Sequence, residues 1–420
     1  MTSNSRPAKV QAGSPSLLRH WNATVVLRTI RERGPISRTH LAREVGLSNP
    51  TVNNVTNFLL NQGYIYENSP SEDDRSRQRG PRPLLFSFRG DLGYVLGADV
   101  GADKIVVLVA DLEGKVVSSE HQPTSTAKPI EVLNELRQAM TSALRRARVG
   151  KRRLKAVSIG TPGVVDGGVV RLAPRVRDWE GLDLADELGP SLGCAVLVEN
   201  EVHLSTLAER WRGAARGIDD ALYVKLGVGV GAALLINGEI YGGAGGAAGE
   251  IGYLPIFHNS RVAEGGPGPF EAAVGGNAYA RLGRQAALTT SGARLRDLAR
   301  GDPNAVDAEI VFAAAEMGDA AARRIVEKLT GLLARGIAAA TVLLDPAAVI
   351  IGGGLSRAGD TLVHPLARHL GQILPAPPQL ILSSLGDEAV ALGAVKLATE
   401  FAERQLFELG SPEGASGGGA

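Results

Sequence analysis

Residues 37–63 read SRTHLAREVGLSNPTVNNVTNFLLNQG, two helical periods separated by a glycine. Leu41, Ala42 and Val45 form one apolar stripe at helical spacing, and Gly46 follows where a left-handed turn favours a residue without Cβ. Ser48 or Asn49 can cap a second helix by accepting from its unpaired N–H groups, and Pro50 suits the first turn, where its missing donor costs nothing. The second helix is therefore expected to start near Pro50. Along it Val52, Val55 and Leu59 share one face, while Asn53, Asn54, Asn57 and Asn61 share the other, with Thr51 at the margin. Asparagine is a moderate helix former at best, so four on one face are not there for propensity. Each can offer a donor and an acceptor together, the pattern that matches an adenine edge in the major groove. The stretch reads as a helix-turn-helix presenting Ser48, Asn49, Thr51, Asn53, Asn54 and Asn57 to DNA, and a helical hairpin with a solvated polar face is the alternative.

The flanks favour the first reading. A short strand pattern over residues 64–66 is followed by NSPSEDDRSRQRGPRP and a second strand, LLFSF, over 84–88, which together make a winged hairpin. Arg75, Arg77, Arg79 and Arg82 crowd its tip, placed for phosphates or the minor groove unless the loop is merely solvated. Upstream, residues 17–33 give a first helix that should pack behind the helix-turn-helix, ended by Gly34-Pro35. The winged helix-turn-helix DNA-binding domain is thus expected over 15–88. The polar ends, 1–14 and 411–420, are expected to be disordered.

Charge is distributed unevenly along the chain. The 420 residues carry a net charge of only +1, but the first 90 hold 13 Lys or Arg against 6 Asp or Glu, leaving 32 against 38 behind them. That split suits a nucleic-acid module joined to a slightly acidic body. One cysteine, Cys194, allows neither an internal disulfide nor a cysteine-cluster metal site, and fits a reducing cytoplasm. No apolar run approaches a membrane span, and no signal-peptide pattern opens the chain, so a cytoplasmic protein without a membrane partner is expected.

Beyond the junction at 89–91 the texture becomes α/β. Three strands with turns at 101–104 and 112–114 precede a helix over 130–148, a strand over 154–160, a helix over 183–192, a strand over 195–200 and a helix over 201–212. A second glycine-turned hairpin set, ALYVKLGVGVGAALLINGEIYGG, fills 221–243. Helices then dominate 276–344, followed by a buried strand at 348–354, a helix at 359–371, a strand at 379–383 and a last helix at 388–408. Two lobes, about 91–200 with 388–408 and 201–387, each opened by a glycine-turned hairpin, suggest a fold that clamps a ligand between them.

The segments LGADVGADK (96–104), IGTPGVVD (159–166), VENEVHLSTLAE (198–209), GVGVGAALLINGEIYGGAGGAAGEIGY (227–253) and IIGGGLSRAG (350–359) resemble, in order and spacing, the ROK family of sugar kinases and sugar-responsive repressors. With the fused winged helix, the resemblance is to the family's regulator branch. It implies a two-lobe actin-like, ribonuclease-H-like domain over 91–408, with ATP phosphates on the glycine hairpins and sugar in the cleft.

Several positions depart from the kinase pattern. The first turn, Asp-x-Gly-Gly-Thr in active kinases, is here Asp99-Val100-Gly101-Ala102-Asp103, which sets a carboxylate where phosphate oxygens would lie. The second, Gly-Thr-Gly, is Gly227-Val228-Gly229 and lacks the hydroxyl, while Gly353 in the adenosine segment is kept, as close packing alone would also require. The catalytic aspartate becomes Glu201, displaced by one methylene, a shift that costs roughly 100-fold in rate if it amounts to about 1 Å. The sugar-binding Glu-x-Gly-His is Glu250-Ile251-Gly252-Tyr253. The histidine that would join three cysteines on a structural zinc is thus Tyr253, and Val262, Glu264 and Pro269 stand at the cysteine positions. The resemblance therefore implies no zinc, no bound ATP and no kinase activity, but sugar contacts through Asn200, Glu201, Glu250, Tyr253 and Glu271. It implies operator DNA and a sugar or sugar-phosphate effector as partners, in a homodimer or homotetramer. An ATP-dependent sugar kinase that also binds DNA is the alternative, followed by a regulator whose cleft serves only for oligomerisation.

Overall fold

The computed structural model describes residues 15–68, 84–101, 104–124, 128–173, 177–255 and 266–408. The two polar ends, the wing-tip residues Arg75, Arg77, Arg79 and Arg82, and Asp103 lie outside them. The chain divides into two compact units. One comprises Met1–Tyr94 with Ala110–Lys115 and Thr399–Ala420, the other Val95–Val109 with Val116–Ala398.

The first unit opens with α1 (Pro15–Arg33), β1 (Ile36–Ser37), α2 (Arg38–Val45), α3 (Asn49–Asn61), β2 (Ile65–Asn68) and β3 (Leu85–Phe88). The strands form an antiparallel sheet in the order β1-β3-β2, with Ile36 opposite Phe86 and Ile65 opposite Phe88. Two-residue β1 carries no periodic signal, so the sequence pattern does not reveal it. Val26, Leu27 and Ile30 of α1 are buried, as are Leu41, Val52, Val55, Leu59, Phe86 and Phe88. Only the second half of α1 buries its apolar residues as expected, because Leu18 and Trp21 stand 60% and 72% exposed.

In the second unit the expected hairpin and crossover pattern is present twice. The strands β4 (Tyr94–Val100), β5 (Lys104–Asp111) and β6 (Val116–Pro123) are followed by α4 (Pro129–Arg146), β7 (Leu154–Thr161), the hairpin β8 (Val164–Asp166) and β9 (Val169–Leu172), α5 (Leu184–Leu192) and β10 (Ala195–Asn200). Their five-stranded sheet has the order β10-β7-β4-β5-β6, and β10 lies parallel to β7. Next come α6 (Glu201–Arg212), β11 (Ala221–Leu226), β12 (Val230–Ile236), β13 (Glu239–Tyr241), α7 (Pro269–Val274), α8 (Gly276–Ala287), α9 (Ala293–Leu298), α10 (Ala308–Glu316) and α11 (Ala320–Leu344). The chain closes with β14 (Ala348–Gly352), α12 (Asp360–Ile373), β15 (Gln379–Leu382) and α13 (Ala389–Glu408).

The second sheet repeats the first, in the order β13-β12-β11-β14-β15, with β14 parallel to both β11 and β15. Such interior strands are covered on both faces and therefore read as unbroken apolar runs, as β14 and the centre of β5 do. One large apolar core joins Leu222, Val224 and Leu226 of β11 to Phe270 of α7 and to Leu329, Leu333 and Ile337 of α11. The β8–β9 hairpin and α7 are additions to the elements expected from sequence, each too short for a periodic signal.

Candidate functional site

The helix-turn-helix is built by short-range capping. Ser37 caps α2 by accepting from His40 N, and Gly46 ends it at φ 66° in the left-handed region. Ser48 caps α3 by accepting from Thr51 N at 3.3 Å, and its hydroxyl also meets the Thr51 hydroxyl at 2.8 Å. Pro50 sits in the first turn as expected. Val52, Val55 and Leu59 turn inward, whereas Asn49, Asn53, Asn54, Asn57 and Asn61 are exposed along the outer side of α3. Ser48 is thus spent on the cap.

Asn57 is not a free reader either. Its Oδ1 accepts from the Arg38 guanidinium at 3.0 Å. Arg38 is the residue that sequence reasoning missed. It also donates to Thr56 Oγ1 at 3.2 Å and lies 4.7 Å from the centre of the Phe86 ring, so it fastens α2 to α3 and to the wing strand. Its signal was a cation at the first position of α2, where the helix dipole does not favour one.

The residues expected to contact sugar lie at the N-terminus of α6 and near the turn between β11 and β12. Asn200 caps α6, with Oδ1 accepting from Val202 N at 2.7 Å and His203 N at 3.2 Å. Its Nδ2 donates to Gly163 O at 2.6 Å, which ties in the Thr161-Pro162-Gly163 turn. Most of the Asn200 amide is therefore committed to holding Glu201 in place. Lys225 Nζ meets Glu201 Oε2 at 2.8 Å, with side chains 25% and 16% exposed.

Around the same turn, Val230 N donates to Glu271 Oε2 at 3.2 Å. Gly252 approaches so closely that a Cβ there would lie 2.9 Å from Val230 O and 3.3 Å from the Glu271 Cβ. Glu250 and Tyr253 flank that contact and are half-buried. Glu271 and the Glu250–Tyr253 segment thus lie at the β11–β12 turn, while Asn200 and Glu201 stand at the start of α6, where Glu201 reaches β11 through Lys225.

The nucleotide-side glycines are held by backbone. Gly101 N donates to Lys104 O at 2.9 Å, Gly227 N donates to Gly229 O at 2.9 Å, and Gly227 O accepts from Gly276 N at 2.8 Å. Gly353, at φ 81°, has no room for a Cβ, which would fall 2.3 Å from Leu226 O. The packing of this turn against β11 accounts for that glycine without a nucleotide.

Asp99 is 2% exposed, and its Oδ1 has no hydrogen-bond partner among the described residues. Burial pushes its carboxyl up to about 7, Lys225 and Lys104 oppose this, and Glu201 and Asp387 add to it. A raised folded value means that the charge destabilises progressively as pH climbs from the unfolded value near 4 toward 7. Asp99→Asn is therefore expected to stabilise by on the order of 2 kcal/mol at pH 8 and by little near pH 4, read as thermal midpoints across that range. Among the described residues no cluster of His, Cys, Asp and Glu could hold a metal ion.

The ROK family profile matches residues 95–401, and a MarR family profile matches residues 20–76. The chain belongs to the ROK family. It is 26% identical over 393 residues to the xylose repressor of Caldicellulosiruptor bescii, covering 92% of this chain and 97% of that one. It is 34% identical over 251 residues to the glucokinase of Thermotoga maritima, covering 58% of this chain and 79% of that one. A ROK family transcriptional regulator structure, from a homologue of the E. coli MLC protein, superposes with TM-score 0.74 over 94% of this chain and 98% of that one, at 22% identity. A ROK family glucokinase from Streptomyces griseus, in complex with glucose and AMPPNP, superposes with TM-score 0.66 over 73% of this chain and 100% of that one, at 28% identity. The ROK kinase-like fold with its N-terminal winged helix-turn-helix is thus the architecture of this chain. No helix among the described residues is long and apolar enough to cross a membrane.

Proposed function

We propose that this ROK chain is a transcriptional repressor of carbohydrate-related genes, in which residues 15–88 read operator DNA and residues 91–408 bind a sugar without phosphorylating it. The observation that carries the reading is the exposed asparagine side of a capped α3, fused to a cleft whose base position, Glu201, is tied to a lysine. Similarity to a xylose repressor along 92% of the chain supports it. Glu201 bound to Lys225 is a poor proton acceptor for a sugar hydroxyl, because protonating it would break the ion pair. Two copies of the reader on a two-fold operator would supply the affinity that one module lacks, so a homodimer or homotetramer fits. A sugar can release DNA only by binding one arrangement of the readers better than the other.

The deciding experiment is a gel shift on the chain's own upstream DNA at a stated salt concentration, with and without D-xylose, D-glucose and their phosphates. Specific retardation relieved by one sugar is the expected result, and no specific retardation would overturn the repressor reading. The glucokinase relatives favour an ATP-dependent sugar kinase as the second reading, and turnover with ATP on the same panel would establish it. At the reader, Asn53→Ala and Asn54→Ala are each expected to weaken operator binding by about 1–3 kcal/mol while leaving non-specific binding nearly unchanged, measured by titration against operator and random duplexes.

A further inference from the structure

Lys225 is the polar exception in β11, whose other five residues are all buried. It pairs with Gly231 on one side and Gly352 on the other, so both neighbours on its face of the sheet lack side chains. The Tyr223 ring fills the space over Gly352 and Val202 of α6 packs against Gly231, and beside them Lys225 Nζ meets Glu201 Oε2 at 2.8 Å. Asp99, with its unpartnered Oδ1, feels the same ammonium, and the other charged groups that act on it are Glu201, Lys104 and Asp387. Lys104 is held by Asp387, with Nζ 3.2 Å from both the side-chain Oδ1 and the backbone O, so its charge is largely answered. Lys225 is therefore the cation directly paired with the carboxylate at the base position.

We propose that Lys225 is a positioning residue of the cleft, an internal counter-ion that holds Glu201 as an acceptor for the hydroxyls of an uncharged sugar. The inference rests on the sugar-binding reading above and narrows its ligand class. With the ammonium committed to Glu201, a phosphate ester brings further negative charge beside a carboxylate whose counter-ion is already engaged. A neutral polyol brings hydroxyl donors that the Glu201 carboxylate can accept.

Two arms test this on the full chain, using Lys225→Met and Lys225→Arg. Without ligand, thermal midpoints are followed from pH 5.5 to 8.5. The deficit of the Met variant should be small at the acid end and widen as pH rises through neutrality, because carboxylates deprived of their cation titrate higher and destabilise once ionised. The Arg variant should keep most of the wild-type profile. A deficit that does not change with pH would mean simple loss of packing and would overturn the counter-ion role.

With ligand, calorimetric titrations use D-xylose, D-glucose and D-glucose 6-phosphate. Lys225→Met should weaken binding of the neutral sugar by roughly tenfold or more and raise the pH midpoint of that binding by about one unit or more. The 6-phosphate should bind the wild type at least about tenfold more weakly than the neutral sugar. A 6-phosphate that binds more tightly than the neutral sugar, and loses that advantage in Lys225→Met, would overturn the proposal by making Lys225 a phosphate ligand. Should none of the three bind while the ligand-free arm behaves as expected, the sugar-acceptor role fails and only the ion pair survives.

Discussion

Replacing Arg31 with alanine is expected to destabilise the first unit by about 3 kcal/mol, because it strands a buried carboxylate. Arg31 lies near the end of α1, and its guanidinium grips both carboxylate oxygens of Glu403 on α13. Its Nε also reaches Leu112 O at 3.4 Å, on the tip of the β5–β6 hairpin. The two side chains are only 14% and 11% exposed, so solvent screens the pair little. Removing one partner of a buried pair costs far more than replacing both with apolar groups of similar volume, which is often neutral. Arg31→Met combined with Glu403→Leu should therefore recover most of what Arg31→Ala loses, measured as urea midpoints. Equal losses in single and double variants would refute the account.

The second large effect is expected at Gly393. A Cβ there would lie 1.8 Å from Leu204 O and 2.5 Å from its carbonyl carbon, so Gly393→Ala forces α13 away from the backbone of α6. Backbone cannot turn aside as a side chain can. The cost should reach or exceed about 3 kcal/mol, at the upper end for overpacked cores. Nearby contacts leave α13 nowhere to go, since a Cβ at Gly97 would fall 2.3 Å from Ala391 O and one at Gly160 would fall 2.4 Å from Val390 Cγ1. Displacement of α6 would carry with it Asn200 and Glu201 at its N-terminus, so sugar binding should fall together with the thermal midpoint. Gly371→Ala, with open space around its Cβ position, is the control and should cost almost nothing.

Much of the reader was legible residue by residue. Ser48, one of two cap candidates, caps α3, Gly46 turns left-handed, and Val52, Val55 and Leu59 are buried where a helical period placed them. In the cleft, the glycine turns and Asn200 at the start of α6 were equally visible, because a turn or a cap is specified within three or four residues. What no local pattern showed was a side chain's partner from elsewhere in the chain. Asn57 faces outward as its period demands, yet Arg38, 19 residues earlier, holds its acceptor oxygen.

The amino-acid sequence by itself determined the longer elements, their order, the two-lobe architecture and the family, since periodicity, capping and turn chemistry act over one or two turns of chain. Only the tertiary structure decided the partners. Lys225 meets Glu201 because β11 passes the start of α6, where Val202 packs against Gly231, and Arg31 meets Glu403 across 372 residues because α13 ends within the first unit. Charges find one another through space, and sheet order and helix packing bring together residues that no local pattern connects.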